Sequence, residues 1–287
     1  MEAKMSNLRR IFTNYVLLLP TTVLLSIFLI IPIYYVVLLS FYTNSLSGYL
    51  PKFTFENYVN LIGSPTVIKI ITTTLTLCGM ATLLSLLVGY PVAYTLAYKV
   101  RSPRKQTFVL LALVIPFLLD YSVRTFSWYP ILSTTGLINL VLMTLGLIRT
   151  PANLLFSEGS LTLIWLQTYI ILMVTPLYLA LTKIDPSLPN AARMLGASLW
   201  QTFWKVTFPL SLPGVVVGSI YVFIASLSDY ATPAFFGGGI QTIGLEIAQR
   251  TAAFLWPAAA ALGVITLLLT LALAYVVLRF VDLQQLF

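Results

Sequence analysis

Three ionisable residues, Asp120, Arg124 and Asp229, stand inside otherwise apolar stretches of the chain. Charge at membrane depth is costly, so each is a candidate for a solute or ion path. Asp229 lies beside Ser226, Ser228 and Tyr230 and has no basic neighbour along the chain. Two readings of it stand: a gate or solute contact, or plain exposure at a helix end. Asp120 and Arg124 are four residues apart, a spacing that lets them neutralise each other on one helix face; the alternative is a place in the path. Tyr121, Phe126 and Trp128 could stack on a cation or on an apolar chain, and could equally form an aromatic belt at the outer boundary.

Bond-making chemistry has few instruments here. The chain has no His, which removes imidazole metal sites, Ser-His-Asp catalysis and His proton relays together. The single Cys78 has no disulfide partner. No Gly-x-x-x-x-Gly-Lys-Ser/Thr motif occurs, and Gly237-Gly238-Gly239 follows no soluble strand, so the triplet reads as a flexible connection rather than a phosphate cradle. An intramembrane enzyme is disfavoured further because no paired carboxylates share a depth.

The elements that must position these residues follow from composition. Of 287 residues 59% are hydrophobic and 8% charged, against about 25% charged in ordinary soluble domains. This is an integral membrane protein. The 16 Lys and Arg against 8 acids are scattered through short loops without a basic block, which argues against nucleic acid. A hydrocarbon core about 30 Å thick needs about 20 helical residues, and the charge-sparse intervals supply six spans, at about 15–40, 67–98, 107–128, 159–182, 210–233 and 256–281. The third runs through Asp120 and Arg124. The positive-inside rule places both termini in the cytoplasm. That choice leaves only Lys52, Lys69, Arg124, Arg149 and Arg250 outside and puts Lys4, Arg9, Arg10, Arg101 and the rest inside. The run 137–148 is too short for a seventh span and reads as an amphipathic or interfacial helix of an outer loop. The apolar run after Arg9-Arg10 is too long for a signal peptide and lacks a small-residue cleavage site, so it reads as an uncleaved first span. Thr54–Tyr58 could start a short helix in the first outer loop, and Gln241–Phe254 looks helical in the last. No repeat or low-complexity tract interrupts the chain, which reads as one membrane domain.

One polar island remains, between the fourth and fifth spans. Asp185 and Ser187 are helix starters, Pro189 suits a first turn, and Ala191-Ala192-Arg193-Met194-Leu195 favour helix. Gly196 fits the left-handed residue that closes it, and Ser198 caps a second helix expected from Leu199 to about Thr207, ending before Pro209. Such short helices are marginal alone in water and need a partner surface. Leu199, Phe203 and Val206 form one line and Trp200, Trp204 and Thr207 the next, so apolar side chains cover most of the circumference. These residues read either as an interfacial aromatic belt or as a knob that inserts into a groove on a soluble protein.

Asn190-Ala191-Ala192-x-x-x-Gly196-Ala197, followed by Phe203, Val206, Leu210, Pro209 and Pro213, resembles the EAA loop of permease subunits in binding-protein-dependent (type I) ABC importers. Gly89-Tyr90-Pro91-Val92-Ala93, Pro116-Phe117 with Arg124, Pro213-Gly214 and Trp256-Pro257-Ala258-Ala259 are similar to the spermidine/putrescine permease branch. The likeness covers roughly residues 54–282, and the loop is its specific part. It implies an all-α membrane fold of six transmembrane helices with a cytoplasmic two-helix coupling loop, a single permease domain over residues 1–287 with a core at about 67–282 and the loop at about 185–209. It also implies a prokaryotic inner-membrane location, two cytoplasmic ATPases, a second permease, expected to be a different chain, and an external solute-binding protein. ATP and Mg would be bound by the partner ATPase, and this chain would bind no cofactor and catalyse no bond chemistry. Ala191, Ala192, Arg193, Gly196, Ala197, Leu199, Trp200, Phe203 and Trp204 become coupling residues. Asn190 departs from the family's usual Glu, so a charge pair made by that Glu cannot form here. Asp120, Tyr121, Arg124, Trp128, Asp229 and Tyr230 are the expected pathway, a small organic cation such as a polyamine is the leading solute, and Pro91, Pro116 and Pro176 could loosen the spans around it. A stand-alone secondary transporter or channel is the alternative; it leaves the aromatic loop unexplained.

Overall fold

The computed structural model describes residues 18–45, 48–100 and 102–279. In chain order the elements are α1 (Leu18–Ser40, with a π-helical turn at Ser26–Ile30), a hairpin of β1 (Tyr42–Ser45) and β2 (Gly48–Phe53), α2 (Glu56–Ile62), α3 (Pro65–Tyr98), α4 (Pro103–Leu118), α5 (Tyr121–Phe126), α6 (Tyr129–Leu132) and α7 (Leu137–Thr144). Then come α8 (Glu158–Lys183), α9 (Ser187–Met194), α10 (Leu199–Thr202), a π-helical turn Phe203–Thr207, α11 (Phe208–Ser228), α12 (Ala231–Phe236), α13 (Ile243–Ala252) and α14 (Trp256–Arg279). The described residues form two compact units, one of those up to Ser64 with Gln249–Leu267, the other of those in Pro65–Ala248 and from Leu268 to Arg279.

In the first unit the hairpin is tied down by one buried amide. Asn57 Nδ2 donates to the carbonyls of Ser40 at 2.9 Å and Tyr42 at 2.8 Å, and its Oδ1 accepts from Asn44 Nδ2 at 2.8 Å. Asn44 Oδ1 in turn accepts the Ala258 N–H at 3.3 Å, satisfying one of the free amides at the start of α14. Gly48, at φ +115°, lies under the Trp256 ring, which a β-carbon there would meet at 3.6 Å.

The core of the second unit is the packing of α3, α8 and α11 on one another. Leu77, Cys78, Ala81, Trp165, Met173, Leu177 and Val222 are essentially inaccessible. In lipid, apolar side chains gain little from meeting each other rather than acyl chains, so helices associate where small residues allow close contact. Gly214 and Gly218, spaced as Gly-x-x-x-Gly, bring α11 against the Met173–Ala180 stretch of α8, and Gly89 does the same for α3 at Met173 and Val174. The helices α3 and α8 run unbroken through Pro91 and Pro176. A reciprocal Ser157/Ser160 capping box starts α8, worth about 1 kcal/mol.

Six stretches of the described residues are long and apolar enough to cross a membrane, as expected, but the third is Tyr121–Thr144 rather than 107–128. The expected continuous helix through Asp120 does not form: α4 ends two residues after Pro116, Leu119 is extended, and Asp120 begins a new helix. Leu137–Thr144 is helical as expected, within that broken stretch. The fifth span ends at Ser228, not 233, because Asp229 is extended at ψ 118°. The second loop helix does not stop before Pro209; it passes through the π turn Phe203–Thr207 directly into α11, with Pro209 just beyond that turn. The β1–β2 hairpin was not foreseen. The expected beginning of the first span, the expected end of the last, and Lys4, Arg9, Arg10 and Arg101 lie outside the described residues.

Candidate functional site

The loop after α8 is built for definition. Asp185 Oδ1 accepts the Ser187 amide at 2.8 Å, and that bond, with the Ser187 hydroxyl, holds the exposed carboxyl below its ordinary value. Gly196 at φ +91° closes α9: its N–H reaches the Arg193 carbonyl and the Ala197 N–H reaches Ala192, each within 3.1 Å, the paired bonds of a Schellman end. Ser198 then starts α10 through a capping box with Gln201. Asn190, Ala191 and Arg193 are exposed, and Ala192 and Ala197 half-buried.

These ends place four large apolar side chains in the open. Met194 is 90% exposed, Leu195 88%, Leu199 71% and Trp200 69%. Phe203 turns the other way, meeting Tyr90 edge-on at 5.4 Å and Tyr94 at 6.3 Å, while Trp204 stays exposed beside Phe208 at 5.0 Å. The Tyr90 hydroxyl bonds Ser211 Oγ at 2.8 Å, fastening the loop's continuation to α3. The aromatic line therefore divides into an inward anchor and an outward patch. From Leu199 to Ser228 the helix is a single rod of 30 residues, about 45 Å long at 1.5 Å per residue.

Asp229 terminates that rod. It is buried, so it is not a plainly exposed charge at a helix end. Its Oδ1 accepts the amides of Ala231 at 2.9 Å and Thr232 at 3.1 Å, capping α12. Its Oδ2 accepts Trp165 Nε1 at 2.5 Å, Thr232 Oγ1 at 2.6 Å and the Tyr121 hydroxyl. Five donors from three places in the chain thus stand in for water around one carboxylate, which is how a buried anion is made tolerable without a cation.

Arg124 and Asp120 serve the neighbouring break. Asp120 Oδ1 accepts the amides of Ser122 and Val123 at 2.9 and 3.3 Å, capping α5. Arg124 is buried with its guanidinium over the rings of Phe117 and Tyr121 at 5.4 and 5.3 Å, donating to the Pro116 carbonyl at 3.0 Å. The cation thereby meets the negative end of α4. The expected neutralisation of Asp120 by Arg124 is not the arrangement observed, although both stand on α5: Asp120, as its N-cap, turns its carboxyl onto the Ser122 and Val123 amides, and Arg124 reaches back to the Pro116 carbonyl, so each charge is spent on a helix end. Trp128 reaches Gln167 Oε1 at 3.4 Å, and Tyr230 is exposed. Of the expected pathway residues the structure brings Tyr121, Arg124 and Asp229 together, leaving Asp120, Trp128 and Tyr230 around them.

Sequence reasoning missed Trp165 and Thr232. A Trp in mid-span must find an acceptor for its indole N–H, which was a usable signal; Thr232 had none beyond its place after Asp229.

Residues 85–285 match the profile of a family described as "Binding-protein-dependent transport system inner membrane component". The spermidine/putrescine transport system permease protein PotB of Haemophilus influenzae is 31% identical over 212 residues, 74% of this chain and 73% of that protein. The sulfoquinovosyl glycerol transport system permease protein SmoG of Agrobacterium fabrum is 29% identical over 283 residues, covering 92% and 89%. A crystal structure of a bacterial alginate ABC transporter in complex with an alginate pentasaccharide-bound periplasmic protein has a chain that superposes with TM-score 0.71 at 20% identity, over 95% of this chain and 94% of that one.

Proposed function

Starting from the family of binding-protein-dependent transport system inner membrane components, to which this chain belongs, we propose that it forms half of the translocation path of an ATP-driven importer and takes its drive through residues 185–209. The exposed patch Met194, Leu195, Leu199 and Trp200, held between two well-capped helix ends, carries this reading. A patch of that size facing water on a cytoplasmic loop is a binding surface, and an aromatic residue among aliphatics has the composition of an interface hot spot. Its partner is a cytoplasmic ATPase subunit that holds ATP and Mg. A second permease, expected to be a different chain, and an external solute-binding protein complete the assembly, with both termini of this chain in the cytoplasm. Alternating access then follows from rigid movement of the loop relative to the membrane helices.

A small organic cation of the polyamine class is the proposed solute. PotB, named for spermidine and putrescine, supports it, as do the aromatic faces of Tyr121, Trp128 and Tyr230 near the charged cluster. The test is co-purification in mild detergent followed by ATPase assay. An ATPase with a Walker A motif should accompany the chain, spermidine with the binding protein should stimulate hydrolysis, and Trp200→Ala should weaken association by about tenfold or more. Stimulation by an anion but never by a polyamine would reject the solute, and labelling of residues 187–208 from outside the cell would reject the coupling role.

A further inference from the structure

We propose that Asp229 is a positioning residue at the output end of the coupling rod: its hydrogen bonds to Tyr121 and Trp165 hold α5 and α12 in place, and movement of the loop is passed on by drawing this carboxylate away from those donors. The proposal rests on the coupling role of the loop described above. It assigns Asp229 to transmission rather than to solute contact.

The first support is mechanical. The helix that carries Trp200 at one end carries Asp229 at the other, with no interruption other than the π turn Phe203–Thr207. Hydrogen bonds within a helix make it stiff along its axis, so displacement of Leu199 and Trp200 must appear at Ser228 unless the turn absorbs it. The Gly214 and Gly218 contacts define the face of α8 against which the rod lies, with the Ala180 side chain against Gly214 and the Met173 side chain against Gly218.

The second support is what the rod's end grips. α5 is a six-residue helix with breaks on both sides, and only Arg124 and Thr125 of it are buried. So short a segment has little apolar packing to hold it. Its ties to the rod's end are the Tyr121 hydroxyl on Asp229 and Thr232, with Phe126 packed on Phe235 of α12 at 4.4 Å. The tie to α8 is Trp165. One carboxylate therefore joins the driven rod, the short helices α5 and α12, and the central helix α8. With five donors already on its two oxygens, the Asp229 carboxylate has little left to offer a solute in this conformation, whereas an arrangement of neutral donors around one anion can be exchanged for water when the rod moves.

The experiment uses the full chain assembled with its companion permease, ATPase and binding protein in lipid nanodiscs. Asp229→Asn turns an amide N–H₂ toward donors whichever way the side chain is placed; Tyr121→Phe and Trp165→Phe each remove a single donor. ATP hydrolysis without solute, solute uptake per ATP, and the solute concentration giving half-maximal stimulation are measured together. Each variant should raise solute-independent hydrolysis, by about tenfold for Asp229→Asn, and lower uptake per ATP, while the half-maximal solute concentration stays put in Asp229→Asn and Trp165→Phe. The sole cysteine offers a second reading: Cys78 is inaccessible and lies close to Ser226 near the rod's end, so maleimide should label it faster in the variants. A change in half-maximal solute concentration with coupling intact would make Asp229 a solute contact and overturn the proposal, as would unchanged coupling in all three variants. If the unaltered chain never binds an ATPase, the coupling reading fails first and this proposal with it.

Discussion

Replacing Gly214 by alanine tests the packing on which the rod depends. A β-carbon there would lie 2.6 Å from Ala180 Cβ, 2.7 Å from the Pro176 carbonyl oxygen and 3.1 Å from Leu177 Cα. None of these atoms can rotate aside. Carbon–carbon contacts are most favourable near 3.5–4.0 Å, so α11 must withdraw from α8 by about 1 Å. Overpacking of this kind costs about 1–3 kcal/mol, while the alanine returns at most about 0.4–1 kcal/mol through the unfolded chain. The expected result is a net loss of about 1–2 kcal/mol. Gly79 in α3 is the internal control, since a β-carbon there meets nothing within 4 Å. Helical content followed during SDS titration in mixed micelles should show Gly214→Ala unfolding at lower SDS fraction than the unaltered chain, and Gly79→Ala at equal or higher. Equal stability of the two variants would refute the close Gly-x-x-x-Gly contact.

Three further outcomes concern the loop. Gly196→Ala meets no atom within 4 Å but must hold φ near +91°, a strain of about 1–2 kcal/mol; faster amide exchange across 187–202, partly restored by Gly196→Asn, is expected, and unchanged exchange would count against the Schellman end. Asn190→Glu should leave uptake unchanged or improve it, and complete loss would show that the amide itself is required. Because the folded value of Asp185 is depressed below its ordinary 3.8, its contribution to the start of α9 is present above that ordinary value and lost as pH falls through the folded one. Protection of the Ser187 amide should therefore drop in acid, and an identical drop in Asp185→Asn would exclude this carboxylate as the cause.

The loop was legible for local reasons. Gly196, Ser198 and Gln201 act within a few residues of themselves, so left-handed closure and capping could be read along the chain. Phe203 and Trp200 were visible as aromatic, yet which faced inward was settled by Tyr90 and Tyr94, more than a hundred residues earlier. Gly214 and Gly218 carried a sequence pattern for helix contact, but not the identity of the helix they approach.

The sequence alone was sufficient for a membrane protein of six apolar stretches with one polar loop of two short helices, because hydrophobic length and local helix chemistry are properties of neighbours in sequence. The fate of the charges was decided only by tertiary structure. Asp120 and Arg124 looked like a pair on one helix, and instead serve two helix ends, Asp120 capping the start of α5 and Arg124 reaching back to the end of α4 at Pro116. Asp229 looked partnerless, and found an indole 64 residues away and a phenol 108 residues away. A buried charge is tolerated according to the donors and dipoles that surround it in space, and for these residues that surrounding is assembled from parts of the chain that sequence reading treats as remote.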